Sequence, residues 1–350
     1  MAEPVLSTLA LNRALLARQM LLERSPLGLI EVMEQMGGIQ TQYAPAGYIG
    51  LWSRMRDFER SMLTHALEER LAVQATIMRA TIHTVSAADY WPMTAGIRRI
   101  RRDWFEKVGR REIEQLDTEA VAEAARQELT GGPLQIKELS ARMEARGFPA
   151  TAGRWAGTWV DLVRVPPSGT WERRRADIYG LADEWLPPVE VTEASGMEHL
   201  IRRYLGAFGP APLNDIANWM GVNVGQMRNV ADGMELRQLR DENGKSLLDL
   251  PNAPLPDPET PAPVRFLAVW DAALLVHARR TQILPEEYRA LVFNTKTPHS
   301  VNTFLIDGQV AGSWRFESGR IESSPFHALT AAERRELHDE ADRLAAFHAS

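Results

Sequence analysis

Residues 197–234 read MEHLIRRYLGAFGPAPLNDIANWMGVNVGQMRNVADGM, and this stretch decides the fold. An apolar helix runs into Gly209-Pro210, a short helix follows, and after a turn a second helix closes the segment. That is helix-turn-helix spacing. Residues 118–147, TEAVAEAARQELTGGPLQIKELSARMEARG, repeat the plan earlier in the chain: helix, Gly-Pro turn, short helix. Each copy is followed by short extended segments, DLVRVPPSGTWERRRADIYGLA at 161–182 and RQLRDENGKSLLDLP at 237–251. In the second, Asn243-Gly244 supplies the left-handed backbone of a hairpin turn. A helix-turn-helix backed by a hairpin is a winged-helix unit. The first hundred residues can be read on the same plan, which gives three copies.

The rest of the chain fits around these units. Apolar residues recur at helical spacing through Leu9, Leu15, Leu16, Met20 and Leu22. The break at Ser25-Pro26 predicts a second helix capped by Ser25, with Pro26 in its first turn. Gly37-Gly38 stops that helix. A loop, GGIQTQYAPAGYIGLWSRM (37–55), follows, then a helix near 58–69. MRATIHTVS (78–86) alternates apolar and polar residues and is predicted as a strand. LPNAPLPDPETPAPV (250–264) is a Pro-rich, semi-rigid linker. Beyond it, FLAVWDAALLVHARR (266–280) is apolar and VNTFLIDGQVAGSWRF (301–316) forms a strand pair turning near Asp307-Gly308. TAAERRELHDEADRLAAFHA (330–349) is a closing helix. The expected fold class is α+β, mostly helical. It divides into a first winged-helix unit with the Gln-x-Gln loop (1–115), a second (116–190), a third (191–250), the linker (251–264) and a C-terminal α+β unit (265–350).

Composition narrows the functions available. With 350 residues, 45% hydrophobic and 25% charged, the chain has the profile of an ordinary globular protein. No apolar run approaches the ~20 residues of a membrane span, and the N-terminus lacks a signal pattern, so a cytoplasmic protein is expected. The absence of cysteine excludes disulfides, thiol nucleophiles and thiolate zinc sites. Net charge is -6, yet residues 1–111 carry 15 Lys+Arg against 11 Asp+Glu, a local +4. Binding to nucleic acid needs a local basic surface, not a basic protein. GIRRIRRDWFEKVGRRE (96–112) concentrates Arg98, Arg99, Arg101, Arg102, Lys107, Arg110 and Arg111 in one helix, with Ile97, Ile100, Trp104 and Phe105 turned to the core. Arg98 and Arg101 are candidate phosphate contacts, or members of a merely solvated face. Arg173, Arg174 and Arg175 sit in a candidate wing, where basic side chains often meet phosphate.

Gln40 and Gln42, two residues apart, point to one side of an extended segment. Their amides can hold a water and touch a sugar or phosphate, or they are simply polar residues after a helix stop. Arg79, Thr81 and His83 alternate on one face of their strand. Trp52 and Arg54 are scaffold or substrate contacts. His338 and Asp342 share a helix face, but no metal-binding spacing is present. The dinucleotide, phosphate-loop and nucleophile-elbow motifs are likewise missing, so no cofactor and no metal are expected.

Taken together, GGIQTQYAPAGYIGLWSRM (37–55), MRATIHTVSAADYW (78–91), YLGAFGPAPLNDIANWMG (204–221), FLAVWDAALLVHARR and LIDGQVAGSWR (305–315) resemble the tandem winged-helix DNA glycosylases of the AlkZ/YcaQ type. The resemblance runs from about residue 10 to the end, in order. It implies a curved scaffold of three winged-helix units with a C-terminal β-rich part. It also implies cleavage of the glycosidic bond of bulky cationic alkylated purines in DNA repair, with toxin self-resistance known in the family. The family's catalytic Gln-x-Gln or Gln-x-Asp motif maps onto Gln40-Thr41-Gln42. Thr41 departs from it, because the family usually carries an aliphatic residue there. Arg79, Thr81 and His83 match an Arg-x-Thr-x-His signature, and with Arg54 they join the DNA-binding candidates. The implied partner is double-stranded DNA carrying alkylated purines, with no membrane and no required protein partner. The competing expectations are a winged-helix transcription regulator without catalysis, and a self-resistance protein that shields adducts without releasing them.

Overall fold

The computed structural model describes residues 4–274, 278, 280–294 and 299–350. Helix accounts for 47% and strand for 18%, so the mixed, mostly helical class is what the chain adopts.

Three apolar cores organise it. The first is built where the helix Ala87–Val108 lies against Glu193–Phe208, with Tyr204, Trp219, Ile97 and Met93 fully packed. The second joins the N-terminal helices, through Met33, Tyr48 and Leu51, to the C-terminal sheet and helix, through Phe266, Phe304 and Leu344. The third is local to residues 121–181, with Val121, Leu139 and Met143 at its centre. The first two cores join elements distant in sequence, whereas the third is closed locally.

A six-stranded antiparallel sheet threads the N-terminal half in the order Ile39–Gln40, Ile82–Ser86, Ala72–Thr76, Leu162–Arg164, Ile178–Leu181, Leu134–Gln135. It joins what the sequence divides at 115/116. The hairpin Arg237–Asp241/Ser246–Asp249 turns through Gly244 (φ 79°) as its Asn-Gly pair predicts, and Val5–Leu6 adds a parallel strand. The linker lacks helix and strand. It is nonetheless held, because Arg18 and Arg13 donate to the carbonyls of Pro254 and Thr260. At the C-terminus a four-stranded sheet, Arg265–Leu267, Thr303–Ile306, Gln309–Glu317 and Arg320–Pro325, packs under the helix Ala331–Ala349.

Several local expectations are corrected. The second helix is Leu29–Gln35 with Gly28 as N-cap, while Ser25 bridges to Met55 in an extended crossing. Half of the 37–55 loop is a helix, Ala44–Arg54, opened by Pro45 in its first turn. The strand read over 78–86 begins only at Ile82, because Met78–Ala80 is a tight helical turn with Arg79 (φ 52°) and Ala80 (φ 56°) left-handed. The basic helix ends at Val108 and restarts after Gly109 as Arg110–Ile113. Trp104 is 48% exposed and does not enter the core.

Candidate active site

The Gln-x-Gln segment is placed by a helix stop. Gly37 (φ 71°) and Gly38 (φ 80°) take left-handed backbone that swings the chain out of the helix Leu29–Gln35. It enters the sheet antiparallel to Ile82–Ser86, Ile39 opposite Thr84 and Gln40 opposite His83. Pairing continues one residue further, where the Thr41 amide donates to the Ile82 carbonyl (2.8 Å).

Strand alternation then sorts the three side chains. Thr41 turns inward and is buried, its hydroxyl 2.9 Å from that of Thr84. Its methyl lies against Gly47, where an added Cβ would stand 2.7 Å away. A threonine therefore fills the aliphatic position, with its hydroxyl satisfied by a second threonine. Gln40 and Gln42 turn the other way. Gln40 is buried at 6% exposure and Gln42 is exposed. The Gln40 Oε1 accepts from Arg79 Nη2 (3.0 Å), and the Gln42 Oε1 accepts from the Ile82 amide (3.2 Å). Both partners can only donate, so the orientation of each amide is fixed: oxygen toward the 79–82 turn, NH2 away from it.

Arg79 does two jobs from its strained turn. Its Nη1 donates to the Trp219 carbonyl (2.7 Å) at the end of the helix Leu213–Met220, while Nη2 holds Gln40. Burial, and then the charge of Arg280, pull its pKa down to about 10. Arg79 also forms one wall of a mainly apolar cavity of about 260 Å³, lined by Ile77, Ile97, Ile100 and Met220 with Trp104 among its lining residues. His83 is buried with Nδ1 3.1 Å from the Thr81 carbonyl. A carbonyl only accepts, so Nδ1 carries the hydrogen and Nε2 the lone pair. Burial, and then Arg79, push the His83 pKa down to about 3, which keeps the ring neutral at physiological pH. The Thr81 hydroxyl donates to the Met78 carbonyl and closes the turn.

The other candidates divide by what neutralises them. Arg54 is fully buried with both terminal nitrogens on Asp271 (2.8 and 2.9 Å) and further bonds to Gly50 and Gln19, so it ties the N-terminal helices to the C-terminal unit. Arg98 and Arg101 share the carboxylate of Asp161 (2.8 and 3.2 Å), and Arg101 also caps the Thr76 carbonyl. These two hold the basic helix to the sheet. In the loop between Leu162–Arg164 and Ile178–Leu181, Arg173 and Arg175 both reach Asp177 at 3.2 Å. Arg174 instead donates to the Tyr43 hydroxyl (3.0 Å), beside Gln42. Sequence reasoning missed Tyr43, whose one signal was adjacency to the Gln pair. It also missed Asp161 and Asp271, which no local pattern marks.

The family model for DNA glycosylase AlkZ-like proteins matches residues 33–347, nearly the whole chain. The chain belongs to the AlkZ-like DNA glycosylase family. It is 22% identical over 334 residues to an interstrand DNA cross-link repair glycosylase of Streptomyces sahachiroi, with 88% of each protein covered. The solved structure of the Streptomyces sahachiroi DNA glycosylase AlkZ superposes with a TM-score of 0.82 over 97% of this chain and 96% of that one, at 17% identity. The fold is shared, and the chemistry of the family is hydrolysis of N-glycosyl bonds in DNA.

Proposed function

We propose that this AlkZ-like protein is a monofunctional DNA glycosylase that hydrolyses the N-glycosidic bond of bulky cationic alkylated purines in duplex DNA. On this reading the helix-turn-helix and hairpin segments expected from the sequence would form three tandem winged-helix units around the duplex. The observation that carries the reading is the locked Gln40–Gln42 pair. Each carbonyl oxygen has spent one lone pair on Arg79 or on the Ile82 amide and keeps a second for a water proton. Two neutral acceptors and two NH2 donors can thus hold a water against a sugar without ionising.

Neutral groups suffice when the leaving base is already cationic. An alkylated ring nitrogen departs without protonation, leaving an oxocarbenium-like sugar and the delivery of water as the difficulty. The neutral state of His83 agrees with this, because a second cation here would repel both substrate and transition state. No lysine lies in 39–42 or 79–83, so neither segment supplies an amine for a Schiff base. Arg79, which holds Gln40, also lines a mainly apolar cavity of about 260 Å³ that would receive an apolar part of the lesion. The relative's name, for interstrand cross-link repair, supports the same substrate class.

The test is release of base from duplexes carrying N7-methylguanine and, in parallel, a bulky N7-guanine adduct. Release is expected from the bulky adduct and its loss in Gln40→Ala and Gln42→Ala. Binding of both duplexes without release of either would replace the reading with a shielding or regulatory role.

A further inference from the structure

Around Trp171, with Tyr43 next to Gln42, lie two arginines that have no carboxylate partner among the described residues. Arg60 opens the helix Arg60–Glu68 and lies over the Trp171 ring, its Cζ 4.7 Å from the ring centroid. Arg174, from the loop between Leu162–Arg164 and Ile178–Leu181, lies 6.0 Å from the same centroid and 5.9 Å from that of Tyr43, and its Nη1 donates to the Tyr43 hydroxyl. Trp171 is a rigid support, buried and edge-on to Tyr48, Phe347 and His348. Tyr43 is 41% exposed and directly follows Gln42.

Most arginines of this protein are paired with a carboxylate, including Arg173 and Arg175 on either side of Arg174. Arg60 and Arg174 are not: among the described residues neither makes an ion pair, although Glu59, Glu68 and Glu172 lie nearby in sequence. Two guanidiniums sharing one indole repel each other. Cation–π contact with Trp171 and Tyr43 orients them but does not cancel the charge. Their joint field is felt by His348, whose pKa is held down to about 4 by burial and then by Arg60 and Arg174. An anion with several acceptor oxygens would relieve that repulsion, and guanidinium forks match phosphate oxygens.

We propose that Arg60 and Arg174, mounted on Trp171 and Tyr43, form a phosphodiester-binding site that holds the DNA backbone next to the Gln40–Gln42 pair. The site rests on the reading of 39–42 as the hydrolytic centre only for its place, not for its ligand. It fixes sugar position relative to the amides and carries no sequence information.

The test is the salt dependence of binding to an undamaged duplex, followed by anisotropy with the full chain between about 50 and 200 mM salt. Each phosphate neutralised contributes roughly 0.9 to the slope of log K against log salt, so Arg60→Gln and Arg174→Gln should each flatten it by about that amount and the double variant by about twice as much. Lysine at either position should restore the slope, which separates charge from misfolding. Arg315→Gln, on an exposed C-terminal hairpin and paired with Glu317 and Glu322, should leave it unchanged. A folded double variant with the wild-type slope and affinity would overturn the proposal. Flattened slopes in a protein that releases no base would keep this site and remove the hydrolytic reading. Normal release with unaltered slopes would do the reverse.

Discussion

Arg79 is an arginine in a conformation L-residues avoid, followed by Ala80 in the same state. Left-handed backbone costs about 1–2 kcal/mol per residue for a side chain with a Cβ, so the turn must be held by what it places. What it places is one guanidinium between the Trp219 carbonyl and the Gln40 oxygen. In the proposed hydrolysis a cation would not stabilise the oxocarbenium, so Arg79 would act by aiming the amide. Arg79→Met keeps the length and burial but removes the donors, and Gln40 then rotates freely. We expect base release at saturating DNA to fall by about a hundredfold, the scale of a small misplacement of a reacting group, with affinity for undamaged duplex nearly unchanged. Lost affinity with retained turnover would instead make Arg79 a DNA contact.

At the scale of elements, the helices Ala87–Val108 and Glu193–Phe208 meet backbone to backbone. A Cβ on Gly96 would stand 2.6 Å from the Gly196 carbonyl carbon, and one on Gly196 would strike the Gly96 amide nitrogen. The crossing needs glycine on both sides, and it positions Arg203 against Asp89 and Glu34 (2.8 and 2.9 Å). Gly196→Ala must push the helices apart, and overpacking of this kind costs roughly 1–3 kcal/mol. Chemical denaturation should show that loss, whereas an unchanged midpoint would mean the crossing is slack. The helices and the Asn243-Gly244 hairpin were legible in the sequence because periodicity and turn chemistry are local. The shared sheet was not, since strand partnering across 74 and 164 is a long-range outcome. The strand over 78–86 was overextended because alternation runs straight through a turn that only φ reveals. That Gln40 and Gln42 leave an extended segment on one side follows from a spacing of two, whereas their catalytic reading came only from the family resemblance. Arg54, Arg98 and Arg101 could not be judged, because Asp271 is 217 residues from Arg54, and Asp161 is 63 and 60 residues from Arg98 and Arg101.

For the molecule as a whole, acid is the sensitive direction. His83 and His348 both have folded pKa values pulled below the ordinary 6.5, to about 3 and about 4. Above about pH 6.5 both are neutral folded or unfolded and add no pH dependence. Below it the unfolded chain takes up protons that the folded chain refuses, so stability falls with falling pH until the folded pKa values are reached. His348 is the cleaner probe. Its ring stacks on Phe316 (4.3 Å between centroids, 15° between planes), and its Nε2 is buried without a partner among the described residues. His348→Phe keeps the stacking and removes the proton site. The melting temperature of wild type should drop between pH 7 and pH 4 more steeply than that of the variant, with the gap opening below about pH 6.5 and levelling near pH 4. Parallel curves would mean that His348 titrates alike in both states. In that case the field of Arg60 and Arg174 is already compensated by solvent, which would weaken the case for an anion between them.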